Sequence, residues 1–252
     1  MGTDTITTTE PAFRGPASEM TYSIAHWLPA LLQLSDTFYP TGAYAHSFGL
    51  EGLVQDGRIA RPEDLRPFLL ESVLPLLAQT DLPLAASAWS ASGEPPNWRR
   101  LEELCFLASA TRGAREPRTA SNAIGSQRLS MAARLRGGVA AAFLERSTAG
   151  HWPCPSAIVA AIEARSIGAP AEAALAGIIY STVAALLAAA VKLLRLGQNA
   201  VQSLLTECLS QAPKLIAASV SPRDDTAIGA FAPWWDVAAA RHEAADFRLF
   251  IS

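Results

Sequence analysis

Lysine is almost missing from this sequence, because only Lys192 and Lys214 are lysines among its 20 basic residues. Neither lysine follows a glycine, so the chain cannot carry the GxxxxGK[ST] loop that cradles nucleotide phosphates. The acidic residues number 23, which gives a net charge of −3 at pH 7. Without a basic excess, binding to a nucleic-acid backbone is disfavoured. Any nucleotide hydrolysis by a phosphate loop would have to come from another chain.

The sequence also contains few cysteines and shows no pattern of a secretory signal. The three cysteines, Cys105, Cys154 and Cys208, are far apart and form no CxxC pair. A disulfide framework is therefore disfavoured, and we predict a reducing, cytoplasmic location. Residues 1–20 are rich in threonine and lack the basic start and apolar centre of a secretory signal. We expect them to form a disordered tail.

Charge is sparse, since 17% of the 252 residues are charged and 50% are hydrophobic. This balance excludes a disordered protein and allows one large domain or two small ones. Residues 173–191 carry no charge and are just long enough to span a bilayer. Their alanine-rich composition, without an aromatic belt or a basic flank, favours a buried core helix and no membrane contact. A membrane-associated helical protein is the alternative.

Apolar residues recur at helical spacing along most of the chain, while alternating β-branched runs are missing. We therefore predict an all-α fold, a single-domain helical bundle of roughly ten helices over residues 21–252. The predicted helices are Ile24 to about Ser35, 43–55, one that opens at Pro62 and is kinked or divided by Pro75, 81–91, 97–110, 118–136, 156–167, 171–194, 199–211 and 234–248.

Residues 34–51 are the densest in small, aromatic and polar side chains. Asp36, His46 and Ser47 together suggest a hydrolase, but His46 and Ser47 are adjacent on the predicted helix and cannot face each other. No GxSxG elbow is present either. We interpret His46 as a hydrogen-bonded histidine in a core or an interface. A cofactor-independent enzyme that uses His46 with Asp36 or Glu51 is the alternative.

No pattern of metal ligands stands out. The four histidines, His26, His46, His151 and His242, show neither HxH nor HxxxH spacing, and Cys154 lies alone beside His151. Two such ligands are a weak site for a transition metal. We predict no metal site and no stably bound cofactor, although a symmetric dimer could complete a site across its interface.

The segment 191–202 is typical of a helix end followed by a new helix. Lys192 suits the negative C-terminal end of the first helix, and Gly197 suits a left-handed stop. Gln198 and Gln202 are one turn apart and would share a face of the second helix. Ordinary helix capping by itself explains these residues.

Two further segments combine arginine with unusual neighbours. Arg112 and Arg115 are three apart, and if helical they would share a solvated face. The last residues, 241–252, stay aromatic and apolar to the end of the chain. Exposing side chains such as Phe247 and Phe250 to water is unfavourable, so we expect this tail to dock onto the protein's own body or onto a partner.

In order and spacing, these four segments resemble the urease accessory protein UreF family. The N-terminal segment follows the family pattern L-[AS]-[DS]-x-x-[FL]-P-x-G-[GA]-[FY]-x-x-S-x-G-L-E from Leu34 to Glu51. The motif residues of interest there are Asp36, Pro40, Gly42, His46, Ser47, Gly49 and Glu51. We assign this motif a structural role.

The other three segments match family patterns in the same way. Residues 111–116 resemble T-R-E-x-R-E, with Gly113 in place of the acid, and residues 191–202 match V-[KR]-L-x-x-[LF]-G-Q-x-x-x-Q. Residues 239–243 and 248–250 resemble parts of A-[SM]-x-R-H-E-x-x-x-[ST]-R-L-F, with Asp246 and Phe247 where the family has tyrosine and serine.

The resemblance implies an all-α maturation factor that is not an enzyme. Members of the family form homodimers, bind the accessory protein UreD (also called UreH) and recruit the GTPase UreG. The assembly delivers nickel to the urease apoprotein, so nickel is the delivered ion of the pathway. A UreF-like paralogue without a urease role is the alternative.

The resemblance also assigns roles to residues. The set implied to bind UreD/UreH is Arg241, His242, Glu243, Phe247, Arg248, Leu249 and Phe250. The set implied to couple to UreG and its GTP cycle and to form the dimer surface is Lys192, Gly197, Gln198, Gln202, Arg112 and Arg115.

Overall fold

The computed structural model of the chain describes residues 25–221 and 223–251. Throughout these ranges the regular elements are helical and no strand occurs, which confirms the predicted all-α class. The expected disordered tail over residues 1–20 lies outside the described residues, as does the predicted helix start at Ile24.

The helices of the described ranges follow one another with short connections. The α-helices are α1 (Leu28–Ser35), α2 (Leu50–Gln55), α3 (Leu65–Phe68), α4 (Leu74–Gln79), α5 (Asp81–Ala91), α6 (Trp98–Ala110), α7 (Arg115–Arg136), α8 (Gly138–Gly150), α9 (Ser156–Ser166), α10 (Ala171–Leu194), α11 (Gln198–Val220) and α12 (Pro233–His242). The 3₁₀ turns are Ala43–Ala45, Pro62–Asp64 and Asp225–Ala227, and a π-helical turn at Leu69–Val73 joins α3 to α4.

Helices α5 and α10 have the predicted bounds, whereas other helices differ from the prediction. Helix α8 was not predicted, because two glycines indicated a break; Gly137 and Gly138 do have positive φ values of 65° and 52°, but α8 starts at the second of them. Helix α11 continues past the predicted end through Pro213, which is exposed and has no backbone N–H to donate within the helix. Helix α12 ends at His242 rather than at residue 248, and an irregular tail with turns and bends follows it.

The predicted single helix over residues 43–55 is wrong. His46 is extended, at φ −117° and ψ 138°, after the first 3₁₀ turn. Phe48 and Gly49 are then left-handed, at φ 54° and φ 84°. Two consecutive left-handed residues cannot continue a right-handed helix, so α2 starts only at Leu50. His46 and Ser47 therefore precede the helix and do not lie on one of its faces.

The predicted left-handed stop at Gly197 is also wrong. Gly197 has φ −75° and caps the start of α11. Arg195 takes the left-handed position after α10 instead, at φ 53°. A non-glycine residue can adopt this conformation at a helix end at a modest energetic cost.

Helices α5, α9 and α10 form the centre of the core, with α7 and α11 packed against them. Two stretches of the described chain, Pro62–Ala91 and Ala171–Leu194, are long and apolar enough to cross a membrane. In their most apolar windows, 61% and 50% of the residues are buried inside the protein. The core helix of a soluble protein passes the same test, so these stretches give a membrane span little support.

Helix α12 returns to the N-terminal part of the chain and packs along α2. The closest approach is at Gly52, where a Cβ atom would lie 2.5 Å from the carbonyl oxygen of Ala238. Gly49 similarly faces the indole of Trp235, and a Cβ there would lie 2.4 Å from its Nε1 atom. These two glycines let the end of α12 and the tail beyond it reach the N-terminal motif.

Candidate partner-binding site at the C-terminal tail

His242, at the end of α12, lies at the centre of a buried polar cluster. Its Nδ1 atom is 2.8 Å from Glu116 Oε2 on α7, and its Nε2 atom is 2.9 Å from Glu51 Oε2 on α2. Only 1% of its surface is exposed. Each ring nitrogen therefore lies within hydrogen-bond distance of a different carboxylate. We call these three residues the His242 cluster.

The tail that follows α12 is held to the protein mainly by backbone hydrogen bonds. The amides of Leu249 and Phe250 donate to Glu51, to Oε1 at 2.7 Å and to Oε2 at 2.9 Å. The amide of Ile251 donates to the carbonyl of Ala45 at 2.9 Å. The Gln55 side chain donates to the carbonyl of Phe247 at 3.0 Å. The His242 cluster thus anchors a segment that is not itself helical.

The side chains of the tail fall into two groups. Phe250 is buried and belongs to the hydrophobic core. Phe247, Leu249 and Ile251 remain 76%, 52% and 64% exposed. The chain bends at Leu249 and Phe250, and the buried Phe250 separates Leu249 from Ile251 in the sequence. We call these three exposed side chains the apolar row.

Ion pairs surround the tail at the surface. Arg248 lies 3.2 Å from Glu116 Oε1, and Arg241 lies 3.2 Å from Asp56 Oδ2. Glu243 pairs with Arg115 at the start of α7. Of the predicted partner-binding set, Arg241, Phe247, Arg248 and Leu249 are exposed, Glu243 is half-buried, and His242 and Phe250 are buried.

The predicted shared face of Arg112 and Arg115 is wrong, because Arg112 precedes α7 and is not helical. Its guanidinium donates to Asp81 Oδ1 at 2.7 Å and to the carbonyl of Ala108 at 3.0 Å. Arg112 therefore supports the turn between α6 and α7, while Arg115 reaches α12. The motif at residues 111–116 nonetheless joins the tail through Glu116.

Lys192 connects the fourth motif to the tail. Its Nζ atom lies 5.1 Å from the centroid of the Phe250 ring, within the range of a cation–π contact. Gly197, Gln198 and Gln202 are exposed at the start of α11, where the two glutamines are one turn apart as predicted.

The N-terminal motif supplies the surface on which the tail lies. Asp36 Oδ1 accepts the amide of Phe38 at 2.7 Å in a side-chain turn, and Gly42 is left-handed at φ 75°. The Ser47 hydroxyl accepts the amide of Glu51 at 3.2 Å. Burial lowers the pKa of His46, and Glu116 acts weakly against that shift.

Sequence reasoning missed a second buried polar cluster. Glu163 on α9 is fully buried and accepts the Arg128 Nε hydrogen bond at 2.5 Å and the hydroxyl of Tyr39. Arg128 on α7 also donates to the carbonyl of Leu34 at 3.1 Å. Burial and the neighbouring carboxylate raise the pKa of Tyr39 well above its usual value. We call Glu163, Arg128 and Tyr39 the Glu163 cluster.

A cavity of about 410 Å³ opens between α1 and α10, with Tyr39 and Arg128 in its lining. In the described ranges no group of three or more histidine, cysteine or acidic side chains could hold a metal ion. The cysteines are free and buried, and burial raises the pKa of the Cys208 thiol to about 11. A thiol with so high a pKa stays protonated and is a poor metal ligand near neutral pH.

The comparison with known proteins decides the family. The UreF family model matches residues 59–209. The chain belongs to the UreF family. A urease accessory protein UreF of Pseudomonas fluorescens (strain SBW25) is 34% identical over 230 residues, 88% of this chain and 98% of the relative. Another, of Paenarthrobacter aurescens (strain TC1), is 32% identical over 237 residues, 88% of this chain and 97% of the relative.

Membership of the UreF family confirms the resemblance that the four motifs predicted. The family model covers Arg112, Arg115 and the segment from Lys192 to Gln202, but ends before α12. The N-terminal motif and the tail therefore stand outside the matched segment, and the structure brings them together with the motifs inside it.

Proposed function

We propose that this chain is a non-catalytic scaffold of urease maturation, which binds UreD/UreH through its C-terminal tail and recruits the GTPase UreG. The observation that carries the proposal is the apolar row. Hydrogen bonds to the tail backbone keep these three large apolar side chains exposed to solvent. The family supports a role accessory to urease. The resemblance assigns UreD/UreH binding to the tail, and the exposure of the apolar row supports that assignment.

The apolar row favours a protein partner with an apolar groove. Phe247, Leu249 and Ile251 are each more than half exposed within five residues of the tail. Exposed apolar rows rimmed by charges are typical of protein interaction sites. Arg241 and Arg248 lie at the rim, where their charges can orient the partner protein.

Buried residues of the predicted partner-binding set act differently in this proposal. His242 and Phe250 have no surface to offer a partner, so they position the row rather than contact the partner. Lys192 is exposed and touches the tail through Phe250. We propose that Lys192 and the exposed start of α11 serve the recruitment of UreG and the homodimer surface.

Nickel is the cargo of this assembly in our proposal, and its destination is the urease apoprotein. The proposal places no stably bound metal on this chain and needs no leader or membrane, so the expected location is the cytoplasm. Arg112, which is paired with Asp81, would shape the α6–α7 turn beside the tail rather than bind a partner itself.

The test is a co-expression pull-down of this chain with its cognate UreD and UreG, read by mass on a sizing column. The variant replaces the apolar row with Phe247→Ala, Leu249→Ala and Ile251→Ala together. We expect the wild type to form a ternary complex with two copies of this chain, and the triple variant to lose UreD.

The matched control is Phe231→Ala, which removes a side chain that is 91% exposed. Phe231 precedes α12 and the tail follows it, so the ten residues of that helix separate the two sites. The control should keep both partners. Full UreD capture by the triple variant would overturn the tail assignment, and a wild type that captures neither partner would overturn the urease role.

A further inference from the structure

Two successive backbone amides of the tail donate hydrogen bonds to the same side chain. Leu249 donates to Glu51 Oε1 at 2.7 Å, and Phe250 donates to Glu51 Oε2 at 2.9 Å. The second oxygen also accepts the Nε2 atom of His242 at 2.9 Å. Each carboxylate oxygen therefore accepts a hydrogen bond from a different tail amide.

The carboxylate of Glu51 depends on these donors as much as the tail depends on Glu51. The residue is 2% exposed, and a buried carboxylate is stable only when it is paired and hydrogen-bonded. His242 is one donor, and the two tail amides are the others. If the tail detaches, the buried carboxylate loses two of these three donors at once.

The contact also sets which side chains face the solvent. The chain bends at Leu249 and Phe250, which turns their two successive amides toward the same carboxylate, so these contacts fix the orientation of the segment. In that orientation Phe250 is buried beneath Lys192, while Leu249 on its other side stays exposed.

We propose that Glu51 is the positioning residue of the partner-binding tail, and that its two oxygens clamp the amides of Leu249 and Phe250 so that the apolar row faces outward. The proposal rests on the proposed function, since it assumes that the apolar row is what a partner protein binds. Glu51 itself touches no partner, because it is buried beneath the tail.

Glu116 is the matched comparison within the same cluster. Its Oε2 atom lies 2.8 Å from Nδ1 of His242, and its Oε1 atom accepts a hydrogen bond from Arg248 at 3.2 Å. Both partners are side chains, and no tail amide reaches Glu116 in the described structure. Replacing Glu116 thus perturbs the charge of the His242 cluster while leaving the two amide contacts in place.

Glu51→Gln is the sharpest substitution, because glutamine keeps the shape but has one acceptor oxygen and one N–H₂ donor. Whichever way the amide is oriented, one tail amide faces a donor instead of an acceptor. Glu51→Asp keeps the charge but shortens the side chain by one methylene, so it cannot reach both amides in the same position. Loss of at least one tail-amide contact is therefore expected for two chemically different variants of Glu51.

The experiment is hydrogen exchange on the full-length chain, measured for wild type, Glu51→Gln, Glu51→Asp and Glu116→Gln. We expect both Glu51 variants to speed exchange in the tail, residues 247–251, by about tenfold, the effect of losing one charge-assisted hydrogen bond. Peptides from α9 and α10 should exchange as in the wild type. Glu116→Gln should leave tail exchange within about twofold of the wild type.

The same variants are then tested for UreD capture beside the apolar-row variant of the preceding experiment. The clamp is overturned if the Glu51 variants leave tail exchange unchanged, or if Glu116→Gln speeds it equally. If the Glu51 variants free the tail while the apolar-row variant still captures UreD, the proposed function fails and the clamp stands. Weaker UreD capture by both Glu51 variants and by the apolar-row variant supports the whole proposal.

Discussion

Two buried glutamates in this molecule have different kinds of donors. Glu163 is paired with Arg128 and Tyr39, which belong to α7 and to the turn after α1. Glu51 is paired with His242 and with two backbone amides of the C-terminal tail. The Glu163 cluster thus joins parts of the body to one another, whereas the His242 cluster joins the body to a chain end.

The difference determines what each cluster can do. Arginine stays charged, so Arg128 cannot adapt by losing its proton if Glu163 is removed. The tail amides, by contrast, reach water once the tail detaches, and they are then hydrogen-bonded again. The Glu163 cluster should therefore govern global stability, and the His242 cluster should govern a local equilibrium of the tail.

The largest effect on stability is expected for Glu163→Gln. Removing one partner of a buried ion pair leaves the other charge uncompensated, which destabilises a protein by about 3 kcal/mol. Urea denaturation of the purified chain measures this loss. Exposed Glu103, which pairs with Arg99 on α6, is the control, and Glu103→Gln should change stability by less than about 0.5 kcal/mol. A loss below about 1 kcal/mol for Glu163→Gln would contradict the comparison.

A smaller effect is expected where α12 crosses α2. In Gly52→Ala the new Cβ atom would lie 2.5 Å from the carbonyl oxygen of Ala238, a backbone atom that moves only with the whole helix. We expect a loss of about 2 kcal/mol by denaturation, together with faster hydrogen exchange in the tail. Gly197→Ala is the control, since nothing lies within 4 Å of a Cβ there. Unchanged tail exchange in Gly52→Ala would separate α12 packing from tail order.

The smallest effect is expected at Gly113, where the UreF pattern has an acid. A Cβ at this position would lie 3.3 Å from Asp236 Oδ2, so Gly113→Glu brings two carboxylates together on the surface. Like charges in water repel weakly, and we expect a loss of about 0.5 kcal/mol that shrinks in high salt. The double variant with Asp236→Asn should recover it. No recovery would show that charge is not the reason for the loss.

Much of the fold was predictable because helical periodicity is a local property. The bounds of α5 and α10 follow directly from the spacing of apolar residues and from the prolines near their ends. The segment 43–55 was not predictable in the same way, since its apolar spacing also suits a helix. The left-handed Phe48, which the sequence does not reveal, breaks that helix.

The candidate site was predictable as a set of segments but not as an arrangement. The four motifs indicated the UreF family and pointed to the tail, yet they gave no sign that Glu51 and His242 meet. Glu163 and Arg128 carry no motif at all, and only their burial against each other distinguishes them from other charged residues of helices.

The amino-acid sequence by itself determined the all-α class, the positions of most helices and the family, because these depend on neighbours within a few turns and on the order of short motifs. Only the tertiary structure decided what the motifs do together. Glu51 accepts hydrogen bonds from the amides of Leu249 and Phe250, which are 198 and 199 residues away along the chain. Their contact exists because α12 packs on two glycines, and packing between distant helices depends on the whole core rather than on any local pattern.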